Sequence, residues 1–234
     1  MISRYGKVRV IMSATMDKLQ PTMHQDAKLS IIIPIYNEEK LLPEVLQRIR
    51  SIQWPQREII LVNDCSTDTT EAILESEKNQ PDTVVLSHSE NLGKGAAIRT
   101  GLRHVTGQIV IIQDADLEYD PAEIIHVIQP IAEGKTLVCF GSRFMGSVKD
   151  MRLPNRVANW LLAQMVSWLY HCKITDEATA YKAFHRSVID RIPLECHGFV
   201  FCPEVTSKVL KLGYPVHEVP VTFKARTVAE GKKI

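Results

Sequence analysis

The stretch "VIIQDADLEYDP", residues 110–121, is an apolar run that ends in four carboxylates, Asp114, Asp116, Glu118 and Asp120. Carboxylates crowded in this way repel one another and raise each other's pKa unless a positive group sits among them. In an extended segment, residues two apart point to the same side, so Asp114, Asp116 and Glu118 can converge on one point. The stretch is either a solvated loop or half of a cation site whose other half comes from elsewhere.

Two more stretches carry residue types suited to binding. "PIYNEE" places Pro34, Tyr36, Asn37 and Glu38 after a β-branched run, and "NDCSTDTT" places Asp64 and Asp68 after another. An aromatic ring with carboxylates and amides suits a nucleoside, whose base offers N–H donors and whose ribose offers hydroxyls. Taken singly, each loop reads first as turn and cap chemistry, with Asp64, Ser66, Asp68 and Thr69 capping a helix and Asn37 making a turn, and it is three such loops in register that favour a site. "NLGKGAAI", residues 91–98, invites a phosphate-loop reading, but G-x-x-x-x-G-K-[ST] fails at His88 and at Gly95. A glycine-rich helix start still brings backbone N–H groups and Lys94 toward the same edge, and a packing and turn role for the glycines is the other reading.

These loops must be positioned by the elements before them, and the sequence alternates strand and helix. "LSIII", "EIILVN", "TVVLS", "IVIIQD" and "LVCFGS" are apolar strands. Between them, helical spacing runs through Leu42, Val45, Leu46 and Ile49, through residues 66–79 and 93–105, and from Pro121 to Gly134. Strands that are apolar throughout and separated by crossover helices predict a parallel sheet covered on both faces, with ligands beyond the carboxyl ends of the strands. After residue 145 the rhythm loosens into a long apolar helix over 153–172, the segment "ITDEATAYKAFHRS", a helix over 203–212 and a strand at "HEVPVTF".

At 234 residues the chain suits one large domain. The reading is a mobile leader over 1–28 and a single domain over 29–234, divided into a nucleotide-binding half (29–145) and an acceptor-side half (146–234). A net charge of +1 argues against a general nucleic-acid binder. Five cysteines without a CxxC pair, and with Cys196, His197 and Cys202 in no common zinc spacing, predict reduced thiols in the cytosol. No stretch reaches the roughly 18–20 apolar residues that a bilayer span requires.

"SIIIPIYNEE", "ILVNDCSTDTT", "ENLGKGAAIRTGL", "QDADLEYDP" and "GSRF" stand in the order seen in family 2 glycosyltransferases, and the chain resembles the branch containing dolichyl- and polyprenyl-phosphate sugar synthases. "TDEATAYKAF", "CPEVTSKVLKLGY", "HEVPVTFKAR" and "EGKKI" carry the likeness to the last residue. The resemblance implies an α/β GT-A fold, a mostly parallel central sheet flanked by helices on both faces. It also implies an inverting transfer of a hexose from GDP-mannose or UDP-glucose to a polyprenyl or dolichyl phosphate. Asp114 and Asp116 would then form a DxD pair holding Mg2+ or Mn2+, hard ions that take carboxylate and phosphate oxygens, with Glu118 completing or orienting the shell. Asp120 is read as a helix cap.

The resemblance further implies nucleotide-sugar contacts from Pro34, Tyr36, Glu38, Asp64, Lys94, Asp114 and Ala115. Catalysis would rest on Asp116 and on cations aimed at the leaving diphosphate, namely Arg143, Arg226 and Lys232 or Lys233. A lipid phosphate is already an anionic nucleophile, and Arg152, Arg156 and Asn159 could cradle it. The apolar helix that follows would line a lipid groove or rest on a membrane surface at the cytosolic face, alone or through a membrane-anchoring partner protein; plain core packing is the alternative. A hydroxyl acceptor would need a base instead, and Asp176 is the candidate. Ala180 stands where the family usually has Cys. The terminal tail is expected to order when nucleotide binds.

Overall fold

The computed structural model describes residues 26–198 and 200–226. Lys232, Lys233, all but Arg226 of the tail over 226–234 expected to order on nucleotide binding, and nearly all of the expected leader lie outside them. Among the described residues, seven strands form one sheet: β1 (Leu29–Ile35), β2 (Arg57–Asn63), β3 (Thr83–Ser87), β4 (Ile109–Ile112), β5 (Val138–Lys149), β6 (Lys182–His185) and β7 (His217–Lys224). Their spatial order is β3-β2-β1-β4-β6-β5-β7. Only β6 runs against its neighbours, pairing antiparallel with β4 and β5.

The central strands β1, β2 and β4 are apolar almost throughout because each buries both faces, whereas the edge strands β3 and β7 are partly exposed. Along β1, Leu29, Ile31, Ile33 and Ile35 enter one core, while Ile32 enters the other. The first core is closed by α1 (Leu42–Arg50) and α4 (Ile124–Ala132), through Val45, Leu46, Ile49, Val127, Ile128 and Ile131. The second is closed by α3 (Lys94–Leu102) and α7 (Phe201–Lys211), through Ala97, Ile98, Phe201, Val205 and Val209. Each such fully buried aliphatic contributes on the order of 2 kcal/mol, so the sheet is a stiff base for its edge loops. The remaining helices are α2 (Thr70–Glu77), α5 (Leu153–Tyr170) and the short α6 (Arg186–Ile189).

Two features differ from the sequence reading. Strand β6 falls inside the segment left unassigned, since four residues are too few to show a period. Strand β5 continues past Ser142 to Lys149, with a break in its register against β7 between Ser142 and Ser147.

Helix α5 is the outlier in packing. Only Ala163 and Val166 are buried, whereas Leu153, Val157, Trp160, Leu161, Leu162, Met165, Trp168 and Leu169 are exposed, Trp168 by 78%. The core-packing alternative therefore does not hold for this helix. No helix among the described residues is long and apolar enough to cross a membrane.

Candidate active site

The loops after β1, β2 and β4 leave the sheet at one edge because these strands are parallel and in register, Ile35 opposite Asn63 and Ile32 opposite Ile112. They enclose a cavity of about 460 Å³ whose wall includes Pro34, Tyr36, Glu38, Asp64, Lys94, Asp114 and Ala115, together with Asp116, Glu118 and Arg226. All the residues expected to contact a nucleotide sugar are thus brought together. A second cavity, of about 1190 Å³, shares Lys94, Asp114, Glu118 and Arg226 with the first and extends to Arg143, Arg152, Asn155 and Asn159.

The positive groups beside Asp114, Asp116 and Glu118 are Lys94 and Arg226, while Asp120 faces Arg48 at 3.5 Å. Lys94 Nζ lies 2.5 Å from Asp114 Oδ1 as an ion pair. Arg226 donates to Asp116 Oδ2 at 2.8 Å and to both oxygens of Glu38, while its backbone N–H donates to Glu118 Oε1 at 2.8 Å. Asp116 Oδ1 accepts from the Glu118 N–H, which turns the chain within the motif. Burial, and then the Asp114 charge, push the Asp116 carboxyl up to about 7 against the pull of Arg226. Asp120 caps the 3-10 turn Pro121–Glu123 by accepting from the Ala122 N–H, as expected.

An all-oxygen donor set of this kind fits a hard divalent cation. Among the described residues, however, no three His, Cys, Asp or Glu side chains converge enough to hold an ion by themselves. A cation at Asp114, Asp116 and Glu118 would need further oxygens from a ligand.

Asp64 acts mainly on its neighbours. Its carboxylate accepts from the Leu92 and Gly93 N–H groups at 2.9 and 2.7 Å, and His88 Nδ1 lies 2.7 Å away. The start of α3 offers few free donors to a phosphate, because Gly95 and Ala96 donate to the carbonyls of Gly198 and His197. A Cβ on Gly93 would lie 2.6 Å from the His197 oxygen, and φ there is +88°, so the glycines serve close backbone packing. Of the two readings of the "NLGKGAAI" stretch, the packing and turn role is the one the structure bears out, with Lys94 left as the group that faces the site.

Arg143, expected to face a leaving diphosphate, lines the larger cavity and not the smaller one, and is nearly buried. Its Nε and one terminal nitrogen donate to the two Asp176 oxygens at 2.7 Å each, and its backbone N–H donates to Oδ2 at 2.9 Å. Burial works against the charged guanidinium, but Asp176 holds it above its ordinary value, and Phe223 lies under it at 5.1 Å. Asp176 itself is fully buried and is absent from the cavity wall. A role as base for a hydroxyl acceptor does not fit, since both oxygens are committed to Arg143. Arg156 also departs from expectation: it is exposed on α5 and outside the cavity wall, whereas Arg152 and Asn159 line it.

Sequence reasoning missed His88, which bridges Asp64 and Thr100, and Tyr181, whose hydroxyl lies 2.6 Å from Gln113 Oε1 and 2.8 Å from the Asp120 carbonyl. Tyr181 thereby ties both ends of the acidic loop to the sheet. Its only signal was an aromatic residue in the segment left without an element.

Residues 30–193 match the model of glycosyl transferase family 2, and the chain belongs to that family. It is 31% identical over 212 residues to an undecaprenyl-phosphate 4-deoxy-4-formamido-L-arabinose transferase of Shewanella sediminis, an alignment covering 87% of this chain and 61% of that protein. A like-named protein of Enterobacter sp. is 28% identical over 88% of this chain and 62% of its own length. The chain thus spans about three fifths of the length of these curated relatives. Among solved structures, it is similar to glucosyl-3-phosphoglycerate synthase from Mycobacterium tuberculosis in complex with Mn2+, UDP and phosphoglyceric acid (TM-score 0.68, 20% identity, 87% of this chain and 73% of that one). It is also similar to a mannosyltransferase from Pyrobaculum calidifontis in complex with GDP-Man and Mn2+ (TM-score 0.62, 20% identity, 95% and 66%). These likenesses establish the GT-A fold.

Proposed function

We propose that the chain transfers a sugar, a hexose from GDP-mannose or UDP-glucose, to a polyprenyl phosphate with inversion at the sugar carbon. The observation that carries this reading is the pair of cavities joined at Lys94, Asp114, Glu118 and Arg226, the larger one walled by Arg143, Arg152 and the start of an exposed apolar helix. The names of the relatives, which include undecaprenyl-phosphate transferases, point the same way.

In this reading the smaller cavity takes the nucleotide, with Tyr36, Glu38 and Asp64 around the nucleoside. A divalent cation, Mg2+ or Mn2+, held by Asp114, Asp116 and Glu118 would neutralise charge on the leaving diphosphate. Lys94 and Arg226 face the same place and stabilise that charge directly. Arg143, fixed by Asp176, and Arg152 orient the acceptor phosphate, which is already a nucleophile and asks for no base. Helix α5 rests its apolar face on the cytosolic side of a membrane, with Arg152 and Arg156 toward lipid phosphates, so that a polyprenyl chain need not leave the bilayer. A membrane-anchoring partner protein would occupy the same face.

The test is incorporation of radiolabelled sugar into a lipid extract with Mn2+ present. Asp116→Ala should reduce incorporation at least ~100-fold, the range for loss of a charge-stabilising group. Undiminished incorporation by that variant would overturn the role of the acidic motif.

A further inference from the structure

The loop between α5 and β6 carries two adjacent carboxylates with different fates. Asp176 commits both oxygens to Arg143. Glu177 is 2% exposed, and its Oε1 has no hydrogen-bond partner. It stands on the wall of the larger cavity. A buried carboxylate oxygen without a partner is costly, and such groups call for a functional role, an ion or a water to account for them.

The backbone around Glu177 is not free to move the carboxylate out to water. Its carbonyl accepts from Lys182 Nζ at 2.8 Å, and Lys182 is itself fully buried, donating to Thr206 Oγ1 and lying 3.7 Å from the centroid of the Phe140 ring. Glu177 shares the wall of this cavity with Cys202, Lys94 and Asp114.

The charges divide the cavity by chemistry. Lys94, Arg226, Arg143 and Arg152 suit phosphates. A carboxylate repels phosphate and suits instead a neutral group rich in O–H or N–H donors. We propose that Glu177 accepts hydrogen bonds from hydroxyl or amide groups of the sugar being transferred, and so helps decide which sugar is used. This rests on the glycosyl-transfer reading above. A site built to bind a particular hydroxyl rejects analogues that lack it far more strongly than an apolar pocket rejects an extra methylene.

The experiment compares Glu177→Gln and Glu177→Ala with the unaltered chain, by calorimetric titration with UDP-glucose and GDP-mannose and with UDP and GDP, all with Mn2+. The ligand-free melting temperatures are measured in parallel. The unaltered chain should bind one sugar nucleotide more tightly than the matching diphosphate. Both variants should lose about tenfold or more in affinity for that sugar nucleotide, as for a lost charged hydrogen bond, and less than about twofold for the diphosphate. Their melting temperatures should be unchanged or higher, because a buried carboxylate oxygen without a partner has been removed. Equal losses for sugar nucleotide and diphosphate, no loss for either, or lowered melting temperatures with unchanged sugar affinity would overturn the assignment. A chain that binds each sugar nucleotide no better than its diphosphate would overturn it too, since no sugar contact would exist. Absence of all nucleotide binding would instead strike the glycosyl-transfer reading, and this assignment with it.

Discussion

The loop after β2 and the helix after β5 each put residues in an environment that their type disfavours, and they do so in opposite ways. Asp64 is a carboxylate at a nearly buried position, met by two backbone N–H groups and His88. Trp168 is a large apolar side chain left in water. A buried polar group with all its partners is part of a finished, rigid wall. A row of exposed apolar side chains marks a surface that is finished by something outside the chain. The loop after β2 is thus finished by the chain itself, and the outer face of α5 is not.

The largest expected effect lies where that contrast is least visible, at the Arg143–Asp176 pair. Asp176→Ala leaves a buried guanidinium without its counter-charge and should destabilise the fold by about 3–5 kcal/mol, read as a lowered urea midpoint. Asp176→Asn should lose stability and activity together. If Asp176 were a base, activity per folded molecule would fall far more than the loss of stability accounts for.

Asp64→Ala tests whether the donor wall is rigid because its polar groups are met. It frees two backbone donors and His88 and should cost about 2–3 kcal/mol, with a raised KM for the nucleotide sugar. A similar effect comes from Glu58, beneath the opposite sheet edge. Although burial raises the Glu58 pKa, hydrogen bonds from Lys28, Ser30 and Thr106 bring the carboxyl down to about 2 from 4.5. A depressed carboxyl contributes stability above its unfolded pKa and loses it as pH falls, so Glu58 stabilises fully above about pH 4.5 and progressively less toward pH 2. Glu58→Gln should be about 2 kcal/mol less stable at pH 7, with the gap closing in acid. A gap constant from pH 7 to 3 would contradict this.

The smallest effect on folding and the largest on location is expected for α5. Replacing Trp160, Trp168 and Leu169 with Ser should change stability by less than about 1 kcal/mol, since these side chains are exposed. Sedimentation with anionic lipid vesicles should fall about tenfold or more. Retained vesicle binding would mean that another surface finishes this face.

The same contrast explains what was legible in the sequence. The donor side is built from repeated strand–loop–helix units, so apolar runs gave the strands and the residues just after them gave the wall, from Pro34 through Asp116. The acceptor side is built by contacts distant in sequence. Strand β6 is four residues long, Tyr181 reaches Gln113 across 68 positions, and Asp176 reaches Arg143 across 33. Nothing periodic announces such pairs, which is why Asp176 read as a base and Arg156 as a wall residue. For α5, composition showed an apolar helix but not which side would face water.

The most direct test of the central claim is acceptor choice. Purified protein supplied with labelled nucleotide sugars and Mn2+ should glycosylate undecaprenyl phosphate and leave undecaprenol untouched, because Arg143 and Arg152 demand a phosphate and Asp176 is not free to activate a hydroxyl. Transfer to undecaprenol, or to a saccharide hydroxyl, at a rate equal to that on the lipid phosphate would contradict the account.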